Sequence, residues 1–473
     1  MPRMFPVDPE SSIPLVAQIV AGVVRLVDEH TLRPGMKMPS VRQFAHSHEV
    51  SVFTVVEAYD RLVAQGVLSS QPNSGFFVRR RARALDGELP ERLGGYRFDS
   101  RWYMRSIFEN HRMQMRPGCG WLPSSLMFTN GLQRALRRLA ASTVQISGYG
   151  DPKGYFPLRQ VVSELLGDRE IAISPDQVLL TQGASQALDL VARRLVCPGD
   201  TVLVDEPGYP NLLYVLRAIG AKPVGMVRNP SGYDLQAIEQ SIAIHRPKVA
   251  FTQPRMHSPT GSIAQSAQLY RLLQLAEKHD LMLVENDIYA ELDLEHRPTL
   301  ASLDQISRVI YVSSFSKTVS PNLRAGLLVA PSDLIDDLAQ LKMIGGLTTS
   351  EFSERIAFEA VTDARWRRHL KAVRTKLTQD HERVAAKLIS LGYELFTEPK
   401  RGLFLWARHP ACADTVPMSA MAAQAEILMG PGHLFSIAET ASPWMRFNVA
   451  FCDDERIFQF LRLQLEARPD SRA

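Results

Sequence analysis

The chain has 473 residues, of which 45% are hydrophobic and 22% are charged, and this composition is typical of a globular protein in water. Its length exceeds what a single hydrophobic core usually supports, so we expect two or more domains. A formal net charge of +4 is too small to indicate nucleic-acid binding by itself, and no apolar run approaches the roughly 20 residues that cross a bilayer.

The N-terminus and the cysteines narrow the class of protein further. The first residues include Pro2, Arg3 and Pro6 and lack the apolar segment of a signal peptide, so we expect a cytoplasmic protein. The cysteines are isolated and show no C-x-x-C spacing. We therefore expect neither a metal site nor a disulfide framework.

The first 80 residues predict a small helical domain that ends in a hairpin. Apolar residues at helical spacing predict an amphipathic helix over residues 14–27, and serines in N-cap positions open a short helix over 41–46 and a longer one over 51–65. Two strand-like runs follow within residues 67–78, on either side of a Pro-Asn-Ser-Gly turn. This order of elements is typical of a winged helix-turn-helix.

A set of motifs in the same segment identifies a family. The motifs are Arg33-Pro34-Gly35, Met38-Pro39-Ser40-Val41-Arg42, Val50-Ser51 and Gly75. With them, residues 8–80 resemble the GntR-type winged-helix family, whose members insert the second helix of the motif into the major groove of DNA. The resemblance implies double-stranded DNA as a partner. The DNA-contacting residues that it implies are Lys37, Ser40, Arg42, Ser51, Phe53, Thr54, Ser74 and Gly75.

One departure from the family pattern leaves the base contacts open. Family members usually carry an arginine or a small polar residue directly after the Val-Ser pair, where this chain has Val52 and Phe53. The two apolar side chains either contact thymine methyl groups or pack inward, in which case Thr54 becomes the main reader of the bases.

A change of composition marks the end of this domain. Residues 81–104 are charged, contain Gly and Pro and lack periodicity, so we interpret them as a linker. Four arginines lie within residues 79–83. They either grip the phosphate backbone or form part of a solvated tether.

Beyond the linker, short apolar runs alternate with helical stretches, which predicts a mostly parallel α/β sheet. Polar or aromatic residues follow the predicted strands, which are 177–181, 201–204, 249–252, 281–285 and 309–313. Open α/β sheets bind ligands at these carboxyl ends. After the first strand, the amides of Gly183, Ala184 and Ser185 lie at a helix N-terminus, where an anion can bind.

Lys317 is the most informative residue of this region. It lies between hydroxyl side chains just after a β-branched strand, with Ser314 and Ser316 ahead of it and Arg324 seven residues beyond. Hydroxyls and a guanidinium can hold a phosphate while the lysine amine forms a Schiff base with an aldehyde. The pattern fits pyridoxal 5'-phosphate as the cofactor. The alternative is a solvated lysine on a serine-rich loop, which is the commoner case for an isolated Ser-x-x-Lys, so the neighbouring motifs decide.

Further motifs extend this prediction over residues 105–473. They are Tyr149-Gly-Asp-Pro-Lys-Gly154, Gly183-Ala-Ser-Gln186, Asp205-Glu-Pro-Gly-Tyr209, Pro259-Thr-Gly261, Asn286-Asp-Ile-Tyr289, Ser314-Phe-Ser-Lys317 and Trp444-Met-Arg446. In this order they resemble the fold-type I aminotransferases, closest to class I. The predicted fold class is α/β, with the N-terminal winged helix, a large transferase-like domain built on a mostly parallel sheet, and a smaller C-terminal α/β subdomain.

The resemblance assigns a role to each matching residue. Lys317 would carry the Schiff base and move the proton in catalysis, and Arg446 would pair with the carboxylate of a substrate or effector. The other implied cofactor contacts are Gly183, Ala184, Ser185, Ser314, Ser316 and Arg324 around the phosphate, Tyr209 on the ring, Tyr289 at the phenolate oxygen, and Tyr149 from the second subunit of a homodimer.

Two positions depart from the aminotransferase pattern. The family places an aspartate three residues before the tyrosine to keep the ring nitrogen protonated, whereas this chain has Asn286 there and Asp287 one place later. Strand alternation would point Asp287 away unless the strand has already ended, so we keep both Asn286 and Asp287 as predicted cofactor contacts. The family's asparagine before Pro-Thr-Gly is Ser258, which can still donate one hydrogen bond.

A GntR-type head joined to an aminotransferase-like body resembles the MocR-type transcription regulators. The resemblance implies a DNA-binding regulator that senses pyridoxal phosphate or an amino compound, with no membrane partner. The alternative is a working aminotransferase with an accessory winged helix, and a third possibility is a DNA-binding protein whose body no longer holds the cofactor. The identity of the effector, the operator and the sign of regulation stay open.

Overall fold

The computed structural model describes residues 4–9, 11, 13–28, 31–32, 35–65, 67–71, 75–78, 100–108, 113–142, 147–293, 295, 297–398 and 402–466. The chain divides into two compact units, residues 1–96 and 97–473. Arg33, Pro34, Ser74 and the arginine-rich stretch 79–83 lie outside the described residues.

The first unit is a three-helix fold with a two-stranded hairpin. Its elements are α1 (Leu15–Asp28), α2 (Val41–His48), α3 (Val52–Ala64), β1 (Leu68–Gln71) and β2 (Gly75–Val78). The strands pair antiparallel, with Leu68 opposite Val78. Buried Phe44 and Tyr59 fill the space between α2 and α3. The helices and the hairpin thus form the predicted winged helix-turn-helix, with α2 two residues longer than predicted.

Both predicted N-caps are present in this unit. The Ser40 side chain caps α2, where Gln43 completes a capping box, and the Ser51 hydroxyl accepts a hydrogen bond from the amide of Thr54 at 3.0 Å. Such caps satisfy backbone donors that a helix leaves unpaired at its start. They fix where α2 and α3 begin.

The second unit contains thirteen described α-helices and two sheets. The helices are α4 (Ser100–Phe108), α5 (Thr129–Ala141), α6 (Phe156–Gly167), α7 (Ala184–Leu195), α8 (Pro210–Ile219), α9 (Leu235–His245), α10 (Ser266–Lys278), α11 (Leu300–Asp304), α12 (Ser332–Gly346), α13 (Glu351–Val361), α14 (Trp366–Ser390), α15 (Val416–Gln424) and α16 (Glu455–Glu466). The strands of the large sheet are β3 (Val178–Thr181), β4 (Thr201–Glu206), β5 (Lys222–Asn229), β6 (Gly232–Tyr233), β7 (Val249–Thr252), β8 (Met282–Asn286), β9 (Val309–Ser314) and β10 (Gly326–Val329). The strands of the small sheet are β11 (Glu394–Leu395), β12 (Phe404–Arg408), β13 (Gly430–Pro431) and β14 (Trp444–Asn448).

The large sheet has the strand order β3-β10-β9-β8-β7-β4-β5-β6. Neighbouring strands from β9 through β8, β7 and β4 to β5 run parallel, which agrees with the predicted mostly parallel sheet. Strand β10 runs antiparallel to both β3 and β9. It therefore begins at the edge of the sheet where β3 and β9 end, and this reversal positions the candidate site.

The small sheet is antiparallel, in the order β11-β12-β14-β13. One buried apolar cluster joins its strands to the long helix α14 and to α16, through residues such as Leu377, Phe447 and Leu461. This sheet and these helices form the predicted smaller C-terminal subdomain.

The predicted linker is too long at its C-terminal end. Residues 100–104 form the start of α4, and the second unit begins at Arg97. Tyr103 and Ile107 are buried and share an apolar cluster with Leu434 and Phe435. The four-residue spacing of Tyr103 and Ile107 was too weak a periodic signal to predict this helix. None of the helices in the described ranges is long and apolar enough to cross a membrane.

Candidate functional site

Several loops converge where β3, β8 and β9 end and β10 begins. Ser314 is the last residue of β9 and pairs in register with Gly326, the first residue of β10. The turn between these two strands holds Lys317 and Arg324, so the reversal of β10 returns both basic residues to the carboxyl edge of the sheet.

Lys317 lies at the centre of this edge. Its Nζ donates a hydrogen bond to the carbonyl oxygen of Gly120 at 2.6 Å, and the Tyr289 hydroxyl donates to the same oxygen at 3.2 Å. Burial lowers the pKa of Lys317 to about 8, and the positive charges of Arg446 and Arg324 act in the same direction. A larger fraction of the amine is therefore neutral near pH 7 than for an ordinary lysine, and the neutral amine is the nucleophile.

Glycines shape a concave cradle beside Lys317. Gly183 is the N-cap of α7 with φ of +79°, and a Cβ atom built on it would lie 2.6 Å from Nη2 of Arg324. A Cβ on Gly326 would lie 2.5 Å from the Cα of Gly183. Arg324 Nη2 donates to the carbonyl of Gln182 at 2.8 Å. Only glycine at both positions lets the guanidinium sit against the start of α7.

Hydroxyl groups line the other side of the cradle. The Ser314 Oγ donates to the Ser316 Oγ at 2.9 Å and accepts a hydrogen bond from the Ser316 amide at 3.1 Å. With Arg324 and the N-terminus of α7, these hydroxyls form a set of donors suited to a phosphate group. The structure thus places Ser314, Ser316 and Arg324, three of the residues that the sequence assigned to the phosphate, at the same edge of the sheet as the start of α7.

A second part of the site lies under the carboxyl ends of β4, β7 and β8. Tyr209, Ser258 and Asn286 line one small cavity with Asp205 and His257. Asn286 is buried, and its Oδ1 finds no hydrogen-bond partner among the described residues. A buried carbonyl oxygen without a partner is costly, so this amide is positioned to meet a ligand rather than the protein core.

Asp205 anchors the wall of this cavity. It accepts hydrogen bonds from the Thr252 hydroxyl at 2.9 Å and the Gln253 amide at 2.7 Å, and His257 Nε2 lies 3.5 Å away. Burial alone would raise the pKa of Asp205, but the hydrogen bond with His257 and the charge of Arg228 lower it overall. The carboxylate therefore stays charged inside the protein and holds the loop that carries Ser258.

Asp287 does not belong to the site, which corrects the prediction that it binds the cofactor. Its carboxylate faces Arg255, whose Nε donates to it at 3.0 Å, and the Tyr311 hydroxyl donates to it at 2.9 Å. Strand β8 extends through Asn286, so side-chain alternation sends the next residue to the opposite face. Asp287 is fully engaged there and cannot replace the missing aspartate at position 286.

Arg446, on β14, is held by groups of the chain itself. Its Nη1 donates to the Ser258 Oγ at 3.0 Å, and its Nη2 donates to the carbonyl of Gly118 at 2.6 Å and to the Tyr103 hydroxyl at 3.1 Å. Its Nε finds no partner within the described part of the chain. The rings of Phe404 and Phe435 enclose the guanidinium, with centroids 4.8 and 4.6 Å from Cζ. The predicted carboxylate site is therefore buried and already hydrogen-bonded.

Two predicted cofactor residues lie on the surface. Tyr149 is 84% exposed, and Ser185, in the first turn of α7, is exposed as well. The structure contains a single chain, so the predicted contact of Tyr149 with a second subunit remains a prediction.

The surface of the first unit resolves one alternative that the sequence left open. Phe53 is 78% exposed and Val52 is 49% exposed at the start of α3, so the pair does not pack inward. Ser40 and Arg42 are exposed near the start of α2. The Lys37 side chain lies against Gly75 at the start of β2, so these two predicted DNA contacts are neighbours.

Sequence reasoning missed the segment that crosses the site ahead of α5. Gly118 and Gly120 supply carbonyl oxygens to Arg446 and Lys317, and Asn448 holds this segment through the carbonyls of Cys119 at 3.0 Å and Trp121 at 2.7 Å. Backbone acceptors leave no side-chain signature. The Gly-x-Gly spacing after Pro117 was the available signal, because a Cβ on Gly118 would collide with the backbone of Met429.

The arrangement fits the predicted pyridoxal phosphate. It offers a buried amine of lowered pKa, a cradle that a Cβ atom would fill, and the unpartnered carbonyl of Asn286. The described residues contain no group of three or more His, Cys, Asp or Glu side chains arranged to hold a metal ion. All four cysteines are free thiols.

Comparisons with known proteins agree with both units. Residues 123–462 match the family model described as aminotransferase class I and II, and residues 15–78 match that of the bacterial regulatory proteins of the gntR family. The chain is 27% identical to the HTH-type transcriptional regulator YdfD of Bacillus subtilis, over 94% of each chain.

A curated sequence and a crystal structure of an α-aminoadipate aminotransferase, both from Thermus thermophilus, resemble this chain. The chain is 29% identical to a 2-aminoadipate transaminase, over 76% of this chain and 92% of the relative. The crystal structure of LysN, an α-aminoadipate aminotransferase complexed with N-(5'-phosphopyridoxyl)-L-leucine, is 26% identical and superposes with a TM-score of 0.69. The alignment covers 76% of this chain and 92% of the LysN chain.

Proposed function

The chain belongs to the aminotransferase class I and II family and carries a gntR-family winged helix ahead of that domain, and we propose that it is a DNA-binding transcription regulator controlled through a pyridoxal phosphate site. This is the domain organisation of the MocR-type regulators. The observation that carries the proposal is the presence, in one chain, of a half-buried lysine of lowered pKa beside Arg324 and the start of α7, and of an exposed helix N-terminus on the winged helix.

The residues around Lys317 would hold the cofactor. The Lys317 amine would bind it covalently, and Arg324, Ser314 and the start of α7 would receive its phosphate. When bound, pyridoxal phosphate supplies an aldehyde that condenses with amines and a ring that withdraws electrons. Tyr209 lines the cavity from the end of β4 and would cover the ring.

The effector would be an amino compound with a carboxylate. Arg446 is the buried guanidinium that would pair with this carboxylate. Its Nη1 donates a hydrogen bond to the Ser258 Oγ, which orients the side chain. A carboxylate that binds the Nε–Nη2 edge of Arg446 would displace the Tyr103 hydroxyl or the Gly118 carbonyl, since both accept from Nη2, while Nε has no partner within the described part of the chain. The ligand would therefore move the crossing segment and α4, the first described helix after the winged helix.

Asn286 supports sensing over turnover. In the aminotransferase pattern this position keeps the ring nitrogen protonated, which makes the ring an effective electron sink, and a neutral amide cannot do that. Asp287 is held by Arg255 and Tyr311, so it cannot take over the task. The chain can thus bind the cofactor and exchange amines on it while carrying out later carbanion chemistry poorly.

The proposal is tested with the full-length purified chain. DNA ligands are selected from a random-sequence pool, and their affinity is measured by fluorescence anisotropy with and without pyridoxal phosphate and a panel of amino acids. We expect at least one amino acid to change the affinity in the wild-type chain when the cofactor is present, and not in Lys317→Ala. Equal affinity in every condition would overturn the regulatory function.

A second function has support from the transaminase relative, which is 29% identical over most of the second unit. A working aminotransferase would convert an amino donor and a 2-oxo acid at a steady rate. Because the amide at position 286 limits such chemistry, Asn286→Asp should increase the rate of the half-reaction with an amino acid. Steady turnover by the wild-type chain that Asn286→Asp does not increase would favour the enzyme over the regulator.

A further inference from the structure

The first turns of α3 present an apolar surface to solvent. Val52, Phe53 and Val56 are 49%, 78% and 39% exposed, whereas Val55 and Tyr59 face the core and are fully buried. Val56 lies four residues after Val52 and three after Phe53, so it neighbours both on the same side of the helix, and the three side chains together form an apolar patch. Single exposed apolar residues are common on protein surfaces, but three that adjoin at the start of one helix indicate a binding surface.

Polar groups at the same end of α3 are largely engaged within the helix. The Ser51 hydroxyl caps the helix and lies 2.7 Å from the Thr54 hydroxyl. Farther along the exposed side, Glu57 pairs with Arg61 at 2.7 Å, and Asp60 is acidic. The leading end of the helix therefore offers methyl groups and an aromatic ring rather than free hydrogen-bond donors.

The major groove of DNA offers one apolar group to a protein side chain. The C5-methyl of thymine is the feature of a base pair there that an apolar side chain can contact, while guanine and adenine are read by donors and acceptors. We propose that this chain reads its operator mainly through thymine methyl groups, with Phe53 as the principal contact and Val52 and Val56 beside it. This inference rests on the proposed function as a DNA-binding regulator.

DNA fits this surface better than a second protein chain does. Exposed Arg42 and Lys37 belong to the same unit, and positive charge favours phosphates over the mixed surface of a protein. The match to the gntR family covers the whole patch, since it extends over residues 15–78. The apolar patch and the basic residues thus belong to one small unit, in which charge would position the helix and the patch would select bases.

The test replaces thymine by deoxyuridine, which removes only the methyl group. Full-length chain is used to select its best binding sequence from a random pool, and each thymine in that sequence is then replaced singly. We expect at least two neighbouring positions in each half-site where the replacement weakens binding about fourfold, as expected for the loss of one buried methyl group. Phe53→Ala should bring the thymine-to-deoxyuridine ratio at those positions close to one.

A matched control separates this role from general loss of apolar surface. Ile13→Ala removes another exposed apolar side chain of the first unit, outside α3, and should leave the ratio unchanged. Phe53→Ala should fold normally because the side chain is mostly exposed, and Val56→Ala provides a second, smaller reduction of the ratio.

The possible results distinguish the inference from the proposed function. Tight, sequence-selective binding that ignores deoxyuridine overturns the thymine reading and leaves the regulator intact. Equal weakening of both DNAs by Phe53→Ala, or a change in oligomeric state in that variant, also overturns it. Failure to select any DNA sequence overturns both.

Discussion

The winged helix and the aminotransferase-like unit present their functional residues in opposite ways. Phe53 and Arg42 face solvent and would meet DNA without rearrangement of the protein. Lys317 and Arg446 instead donate hydrogen bonds to carbonyls of the crossing segment, Gly120 and Gly118. An exposed surface can bind as it stands, whereas a site occupied by its own chain must exchange partners to bind. The second kind of site is the one that can convert ligand binding into movement.

The largest effect that would sharpen this contrast is expected for Lys317→Ala. Without the amine, covalent attachment of pyridoxal phosphate should be lost completely, while DNA affinity in the absence of ligand should stay unchanged. Reduction with borohydride followed by mass spectrometry measures the attachment. Lys278→Ala, which removes an exposed lysine paired with Glu239, is the control. Attachment that persists in Lys317→Ala would place the reactive amine elsewhere.

The next effect is a pH dependence. Burial lowers the pKa of Lys317 to about 8, so the neutral amine gains about tenfold per pH unit below that value and levels off above it. The rate at which the cofactor-free chain takes up pyridoxal phosphate should therefore rise between pH 6 and 8 and flatten near pH 9. Stopped-flow absorbance measures it. A rate that continues to rise to pH 10.5 would indicate an ordinary exposed lysine.

A smaller effect, on DNA affinity, is expected for an exposed basic residue of the winged helix. Arg42→Ala should weaken DNA binding about tenfold at low salt and reduce the slope of log affinity against log salt by about 0.9, the value for one lost phosphate contact. Anisotropy titrations at several salt concentrations measure both. Arg456→Ala removes an exposed arginine of the second unit and should leave the slope unchanged. An unchanged slope in Arg42→Ala would remove Arg42 from the interface.

The smallest effect concerns the competition at Arg446. Tyr103→Phe removes one hydroxyl that shares Nη2, so a carboxylate should bind about three- to tenfold more tightly, in line with the net value of one hydrogen bond. Calorimetry with an amino-acid ligand and the cofactor-loaded chain measures this. Tyr393→Phe, another buried tyrosine whose hydroxyl contacts the Met418 sulfur, should have no effect. Weaker binding in Tyr103→Phe would mean that the hydroxyl supports the ligand instead of competing with it.

The strands around the site were predictable because they are buried on both faces. Residues 249–252 and 309–313 are continuous apolar or β-branched runs, and the structure places β7 and β9 there with nearly the same bounds. Lys317, Arg324 and Gly183 were predictable for a similar reason, since each follows or precedes such a run. Their motifs are local in sequence, and the pairing of β10 with both β3 and β9 brings them together.

What the sequence did not reveal depends on distant partners. The direction of Asp287 is set by where β8 ends and by Arg255, 32 residues earlier in the chain. The contacts of Arg446 come from Tyr103 and Gly118, more than 320 residues away, and one of them is a backbone carbonyl. Strand alternation indicated that Asp287 points away only if the strand continues through position 286, and the sequence did not fix that end of β8. Backbone acceptors carry no side-chain pattern that a sequence displays.

Lys342 holds the turn that follows the exposed Tyr149 in place. Its buried ammonium donates to the carbonyls of Pro152 at 2.8 Å and Leu180 at 2.7 Å, which fastens the turn after Tyr149 to β3 from below. An aromatic side chain displayed on a tethered turn has little backbone freedom left to lose when it enters another molecule. The predicted contact of Tyr149 with a second subunit would therefore cost little backbone entropy.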